Sequence, residues 1–427
     1  MVTPRPPAAA AGGYSDGATS DGLQQVVDAL AARLGRSVAV DDTRGRLVTV
    51  SRHFGDEDRL RVYAVLQRVS DPRVLAHFRA HSIYDWTEPG RVSENPDLDF
   101  KRRVCCPARA HGILFGHLFL IDDGIEDREI ELAAAAAAEI GLLMYRRLVL
   151  HEQVQARRDE LARDLVSTSE ARRAAARAAL PVELQLDAAS AAVAVVVVVE
   201  DVGSDSAAPD ETATTLRSGL ERAVRDRFAA ESLVSVRGRG ALVLLLGDAA
   251  TGTNARAVAA EPVTGTGPAG RRVVAGVGPS LSGTDAAVRS YAGARTAAHA
   301  AALLPFLGTV LDEDSLGVYG VLLALPRHTL DEQMCPGALR RLAERDPAGT
   351  LTETLEAYLD CGGDATRTAA ELAVHRSTLY YRLGRIESVS GTTLRDGHLR
   401  LALHLGVKLR RLLQAYREHP ELDRENP

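Results

Sequence analysis

Apolar residues first take helical spacing in LQQVVDALAARLG, where Val26, Leu30 and Leu34 stand four apart and Gly35 ends the run. SVAVDDTRGRLVTVS then alternates, which predicts a hairpin of two strands about residues 41–45. A mixed stretch reaches about Phe100. RRVCCPARAHGILFGHLFLID predicts a second hairpin, with its turn near His111 and Gly112. Residues 127–167 can run as one long helix, with Ile140, Met144, Leu148, Val154, Leu161 and Leu165 along one stripe. Such a helix is either a signalling stalk and dimer seam or the last helix of one domain joined to the first of the next.

AAVAVVVVVEDV is dense in β-branched residues and predicts a buried strand. LVSVRGRGALVLLLGD predicts a hairpin around Gly238, Arg239 and Gly240, and RRVVAGVGPSL another strand. Residues 285–304 form an Ala-rich helix, and GTVLDEDSLGVYGVLLAL closes the unit. Strands alternating with helices predict an α/β or α+β domain over residues 182–325. No internal repeat of roughly 20–50 residues is visible.

Residues 368–391, TAAELAVHRSTLYYRLGRIESVSG, read as two helices and a turn. Thr366 offers an N-cap, since its hydroxyl can take an orphan N–H. Ala369, Leu372 and Val374 face inward, and 373–375 break the helix. Arg376 or Ser377 starts a second helix, and Gly391 stands where a helix commonly stops. At about 100° per residue, Leu379, Leu383 and Ile386 share one narrow stripe. Opposite lie Ser377, Thr378, Tyr381, Gly384 and Arg385, with Tyr380 and Arg382 on the flanks. One face holds the helix to a core, and the other presents hydroxyls and guanidinium groups with no acid among them. A helix-turn-helix requires this split, because its second helix enters the major groove. Arginine can bridge guanine O6 and N7, and Ser or Thr can reach bases or phosphates. Gly384 permits close approach, and His375 begins the helix. The candidate DNA-binding residues are therefore Thr366, His375, Arg376, Ser377, Thr378, Tyr380, Tyr381, Arg382 and Arg385. The plainer reading is a solvated basic face on an ordinary helical hairpin.

The 427 residues allow about three domains at ~150 residues each. Hydrophobic content of 46% and charged content of 25% are globular values. A net charge of −6 argues against a uniformly basic nucleic-acid coat. Residues 366–416, however, hold nine Arg and Lys against three Asp and Glu, so a +6 segment sits on a remainder of −12. A basic end on an acidic body is the footprint of a nucleic-acid-binding module. Cys105, Cys106, Cys335 and Cys361 have no zinc spacing and imply no disulfide framework. The Cys105-Cys106 doublet reads as small buried strand residues or as a redox sensor, and both suit a reducing cytoplasm. MVTPRPPAAAAGGYSDG places Pro and Gly where a signal peptide needs an apolar core. The longest apolar runs, 188–199 and 133–138, fall short of the ~20 residues that span a bilayer. A cytoplasmic protein with no membrane partner is expected. The chain has no P-loop, no G-x-S-x-G elbow and no H-E-x-x-H.

TLTETLEAYLDCGGDATRTAAELAVHRSTLYYRLGRIESVSGTTLRDGHLRLALHLGVKL resembles the C-terminal helix-turn-helix of the PucR/CdaR family of bacterial transcriptional regulators. TAAELAVHRSTLYYRLGRIE is its most specific part, and LRLALHLGVKL resembles the closing amphipathic helix. RRDELARDLVS resembles the family's short helix before its central domain. RRVVAGVGPSLSGTDAAVRSYAGARTAAHAA resembles that central domain, a degenerate relative of the GGDEF fold. The resemblance covers roughly residues 155–412. The earlier residues match only loosely, as an effector-sensing domain. GGDEF cyclases hold metal with the acids of a Gly-Gly-acid-acid-Phe turn. The matching turn here runs from Gly238 to Leu242 and lacks both acids, and Glu200 with Asp201 makes half a two-metal site. The resemblance thus implies no enzyme, catalytic residue, metal or cofactor, and a central domain that pairs subunits or relays a signal.

Helix, strand pair, helices, strand pair and long helix suggest a GAF- or PAS-like domain at the N-terminus. The expected fold class is multidomain α/β and α. A flexible tail (1–20) precedes a GAF/PAS-like sensor (21–145) and a linker helix (146–181). A degenerate GGDEF-like α/β domain (182–325), an all-α helix-turn-helix domain (335–416) and a tail (417–427) follow. The expected partners are double-stranded DNA and a small-molecule effector, and the active form is a homodimer or higher homo-oligomer. Trp86, Phe100, Arg103 and residues 104–107 either line the effector pocket or pack a core. The alternatives are a nucleotide-binding or cyclase-like signalling protein and a scaffold that has lost DNA binding. The 377–385 face argues against the scaffold, and Gly240 with Ala241 against the enzyme.

Overall fold

The computed structural model describes residues 17–187, 189–201, 209–227, 231–247, 252–264, 271–420 and 422, and the chain divides into two compact units, 1–157 and 158–427. In the first unit the order is α1 (Gly17–Leu34), β1 (Val38–Asp42), β2 (Leu47–Val50), α2 (Arg59–Gln67), α3 (Pro72–Ala80), β3 (Gly90–Val92), β4 (Arg103–Ala110), β5 (Ile113–Ile121) and α4 (Asp127–Leu165). Both expected hairpins are present. His111 and Gly112 turn the second with positive φ at both positions, 50° and 79°, which matches the twist of the flanking strands. Helix α1 reaches back to Gly17, inside the stretch 1–20 expected as a tail, and residues 1–16 lie outside the described residues.

The five strands form one antiparallel sheet in the order β2-β1-β5-β4-β3. Successive side chains on a strand point to opposite faces. Val38, Val40, Cys106 and Leu118 therefore meet α1 and α4 through Leu23, Val27, Leu30 and Ile140. Cys105 and Phe119 join a second cluster with Val74, Phe78, Ile83 and Phe100. The adjacent cysteines thus sit in two different cores. Burial pushes both thiols up, Cys106 to about 12, so neither supplies the thiolate that redox sensing requires.

The second unit adds α5 (Glu170–Glu183), β6 (Ala192–Asp201), α6 (Pro209–Arg227), β7 (Ser232–Arg237), β8 (Gly240–Leu246), α7 (Gly252–Thr264), β9 (Arg271–Val277), α8 (Ala287–Leu303) and β10 (Val310–Asp312). Their sheet runs β10-β9-β6-β8-β7, with β10 parallel to β9 and the other pairs antiparallel. Val193, Val195, Val197 and Val199 on β6 pack on α6 and α7, while Ala192 and Ala194 face α5, α8 and the end of α4. A strand covered on both faces needs no polar alternation, which accounts for AAVAVVVVVEDV. Ala176 and Leu180 bury α5 in the same core, so the later part of the expected linker 146–181 is packed on the sheet. Helix α8 lies so close to β9 that a Cβ on Gly276 would stand 2.0 Å from the Ala294 carbonyl oxygen.

The remaining helices are α9 (Glu313–Leu316), α10 (Val318–Leu323), α11 (Gly337–Arg345), α12 (Thr350–Asp360), α13 (Ala365–Glu371), α14 (Arg376–Ser390) and α15 (Gly397–Glu418). One apolar cluster runs from Ala297 and Ala301 on α8 through Tyr319 and Leu322 to Leu355, Leu379, Ile386, Leu403 and Leu412. GTVLDEDSLGVYGVLLAL therefore closes the sheet only through β10, and α10 packs with the C-terminal helices. Among the described residues, no helix is long and apolar enough to cross a membrane.

Candidate nucleic-acid interface

Helix α13 is capped by Asp364, whose carboxylate accepts the N–H groups of Thr366 at 2.7 Å and Arg367 at 3.1 Å. Those bonds hold the Asp364 carboxyl below its usual range. Thr366 is not the cap. Its hydroxyl instead accepts from Arg376 Nη2 at 2.9 Å, tying α13 to the first turn of α14. Ala373 adopts the left-handed conformation, φ 52°, and ends the first helix within the expected break. His375 caps α14, its Nδ1 accepting the Ser377 N–H at 3.3 Å and lying 2.7 Å from the Ser377 hydroxyl.

Gly391 terminates α14 at φ 67°, as its position suggests. Arg341 on α11 donates to the Ser390 carbonyl from Nε at 3.2 Å and Nη2 at 2.5 Å, which places a cation at the negative end of the helix. Leu379 and Ile386 are fully buried and Leu383 nearly so, so the predicted stripe anchors α14. His375, Arg376, Ser377, Thr378, Tyr380, Tyr381, Gly384 and Arg385 are all exposed, and Tyr381 keeps 74% of its surface. Arg382 is half-buried and reaches Thr354 Oγ1 on α12 at 3.3 Å, so it stands apart from the exposed set. Ser388 extends the exposed face one further turn. Arg376, Arg382 and Arg385 form no ion pair with a described residue.

The basic excess is smaller than residues 366–416 alone suggest. Lys408 Nζ donates to Glu356 at 2.9 Å and Asp360 at 2.7 Å, and Arg411 donates to Glu356 at 3.1 Å. Those acids lie on α12, outside the segment 366–416. Counted over 350–416 the balance is nine against seven, or +2. What survives is local: a few unpaired arginines and hydroxyls on one side of one helix. Sequence reading passed over Asp364, Ser388 and Arg341. The capping rule points to Asp364 as readily as to Thr366, and continuing the rotation by four residues reaches Ser388. Nothing local marks Arg341, whose partner is 49 residues away.

In the α/β part, the β7–β8 turn is Gly238 and Arg239, and Ala241 and Leu242 lie buried in β8. No carboxylate occupies that turn. The side chains of Glu200 and Asp201 lie outside the described residues. No group of three or more His, Cys, Asp and Glu residues is placed to hold a metal among the described residues.

Residues 351–409 match the PucR C-terminal helix-turn-helix domain, and residues 162–300 match the GGDEF-like domain. Together they define a helix-turn-helix protein with a GGDEF-like domain. Both matches fall where the residues within 155–412 resembled the PucR/CdaR family. An uncharacterized protein of Mycobacterium tuberculosis (strain ATCC 25618 / H37Rv) is 47% identical over 72 residues, 16% of this chain and 17% of that protein. The purine catabolism regulatory protein of Bacillus subtilis (strain 168) is 36% identical over 76 residues, 18% of this chain and 14% of that protein. Each match spans less than a fifth of the relative's length. The crystal structure of a regulator of polyketide synthase expression from Bifidobacterium adolescentis aligns over 60% of this chain and 99% of that one. Its identity is 19% and its TM-score 0.28.

Proposed function

We propose that this protein is a cytoplasmic, non-enzymatic regulator of transcription that binds duplex DNA through α14 as a homodimer or higher homo-oligomer. One observation carries the reading. Ser377, Thr378, Tyr381 and Arg385 are exposed together on a helix whose opposite face is fixed by Leu379, Leu383 and Ile386. This is the division that a recognition helix needs. His375, Arg376 and Thr366 flank its N-terminus, the end that most often reaches base edges. The name of one similar protein, the purine catabolism regulatory protein, supports the reading.

The first unit is proposed as a GAF/PAS-like sensor of a small-molecule effector. Its single antiparallel sheet, covered on both faces, is a compact scaffold of the kind expected. The α/β part is proposed as a pairing or relay module, because its β7–β8 turn lacks metal-holding acids. The test begins with genome-wide mapping of DNA bound by the protein. A recovered fragment and a scrambled duplex are then titrated with wild type and Arg385→Ala. Preference for the recovered fragment, weakened in the variant, supports the reading. Equal affinity for both duplexes in both proteins refutes specific readout.

A further inference from the structure

The exposed face of α14 is centred on Tyr381. At about 100° per residue, Ser377, Thr378, Gly384, Arg385 and Ser388 fall within about 60° of it, and the buried Leu379, Leu383 and Ile386 lie on the far side. The three arginines of α14 are not equivalent. Arg376 Nη2 is tied to the Thr366 hydroxyl at 2.9 Å, and Arg382 reaches back to Thr354 Oγ1 at 3.3 Å. Arg385 is exposed and has no partner among the described residues, so its planar fork of donors is the one left open.

Residues 364–400 contain no Asn and no Gln, and their four acids are all held by the protein. Asp364 caps α13 through the N–H groups of Thr366 and Arg367. Asp396 caps α15 through those of His398 at 2.9 Å and Leu399 at 3.0 Å. Glu371 Oε2 accepts from the Cys361 thiol at 2.9 Å. Glu387 Oε1 accepts the Leu394 N–H at 2.8 Å and the Thr393 hydroxyl at 3.3 Å, which turns the one acid of α14 into the loop that follows it. Base edges in the major groove ask for particular partners. Asn or Gln meets adenine with two bonds, Asp or Glu takes the cytosine amino group, Arg bridges guanine O6 and N7, and an apolar surface covers the thymine methyl. The first two have no reader on this face.

We infer that α14 reads guanine and thymine, with Arg385 bridging guanine O6 and N7 and the Tyr381 ring covering the thymine methyl. Adenine and cytosine are then recognised only through their partners in the pair. The tyrosine ring offers an apolar surface, and its hydroxyl can still meet a phosphate or water. Tyr381 and Arg385 are four residues apart, about 6 Å along the helix axis, and base pairs stack about 3.4 Å apart. With the helix lying along the groove, the thymine and the guanine stand about two base pairs apart in each half-site. The hydroxyls of Ser377 and Ser388 can bond to any base edge and so add contact without discrimination. This rests on the reading of α14 as a recognition helix.

The experiment uses the full chain to select from duplexes with a randomised core. The enriched duplex is then remade with uracil for each thymine in turn, which deletes the C5 methyl, and with 7-deazaguanine for each guanine in turn, which deletes N7. Anisotropy titrations with wild type should find one thymine in each half-site whose replacement weakens binding by about threefold or more. A guanine about two base pairs away should cost about tenfold or more. The thymine effect should vanish in Tyr381→Ala and persist in Tyr381→Phe, and the guanine effect should vanish in Arg385→Ala. Both side chains are exposed, so thermal melts should show all three variants folded. An enriched duplex in which no thymine methyl or guanine N7 matters would overturn the assignment. So would replacement effects of the same size in the folded alanine variants as in wild type. In either case the sequence preference remains, and the regulator stands without this base code. Equal affinity for every duplex, with no sequence enriched, would remove specific readout and the base code together.

Discussion

Arg376 and Thr366 form a hydrogen bond of 2.9 Å that bridges the two helices of the turn motif, whereas Arg385, nine residues further on, has no partner among the described residues. The two arginines should therefore differ on substitution. Arg385→Ala removes an uncommitted guanidinium. If it reads a base, DNA affinity should fall by ~1–3 kcal/mol with the thermal midpoint unchanged. Arg376→Ala should weaken DNA binding and also loosen the joint between α13 and α14, lowering the midpoint slightly. Anisotropy titrations beside thermal melts separate the cases. A stable Arg385→Ala protein with wild-type affinity for its best duplex would remove Arg385 from the interface.

Gly384 gives a sharper test. It sits in the middle of α14, and a Cβ there would meet nothing within 4 Å. Packing does not require the glycine. Gly384→Ala should then stabilise the helix by up to ~1 kcal/mol, the ordinary propensity difference. If DNA approaches this face, the same methyl group obstructs it and affinity drops. A variant that is both more stable and equally tight on DNA would show that the duplex does not pass over Gly384.

The helix-turn-helix was legible because its signals are local. The spacing of Leu379, Leu383 and Ile386 set the buried stripe, and Gly391 marked the end. The strand run at Val193 was equally plain, because β-branched residues without alternation mean burial on both faces. Long-range pairing was not legible. Lys408 meets acids 52 and 48 residues earlier, so the sequence excess of positive charge overstated the field at the surface. The buried charges beside α2 were hidden for a related reason. Asp41 and Arg61 are types that usually sit outside, and α2 lies in the stretch before Phe100 where short elements leave little periodicity.

Oligomerisation follows from readout, since one helix-turn-helix reads few base pairs and useful specificity takes two half-sites. The stripe on α4 is not a free seam along its length, because Ile140, Leu161 and Leu165 are buried within the chain's own cores. Leu150 and Val154, one turn apart, remain 54% and 56% exposed. A dimer by light scattering at micromolar concentration is expected. Leu150→Glu with Val154→Glu should shift it toward monomer and cost ~10²-fold in DNA affinity through lost bivalency. A wild-type monomer, free and on DNA, would contradict the dimer.

No cyclic dinucleotide should form from GTP with Mg²⁺ or Mn²⁺. The turn at Gly238 and Arg239 offers backbone oxygens, and one of these, the Arg239 carbonyl, already accepts the Val199 N–H at 2.9 Å. Metal next to a triphosphate needs carboxylates to fix its geometry. Chromatography of the reaction decides the matter. Steady cyclic di-GMP production that disappears in the Glu200→Ala, Asp201→Ala double variant would promote the enzyme reading over the regulator.

His117 makes the first unit sensitive to mild acid. The ring is 2% exposed on β5, with Nε2 3.1 Å from the Ile83 carbonyl oxygen. Burial lowers its pKa from 6.5 to about 4, the carbonyl opposes the shift, and Arg109 adds to it. A histidine kept neutral by the fold contributes full stability above the unfolded pKa. As pH falls below 6.5 the unfolded chain takes up a proton that the native chain refuses until about 4. Stability is therefore lost across that window, by roughly 2–3 kcal/mol between pH 7.5 and 4.5. Asp58 works in a lower range: burial raises its pKa, but the Arg103 charge and hydrogen bonds leave it below the usual value, so its stabilisation disappears only at stronger acid. Asp41, raised by burial, has the opposite sign and loses its contribution as pH rises through its native pKa. Urea unfolding followed by far-UV circular dichroism at pH 7.5, 6.0 and 4.5 measures the window. The transition of the first unit should weaken stepwise in wild type and flatten in His117→Gln. Equal pH dependence in the two proteins would mean that His117 titrates alike in the folded and unfolded chain.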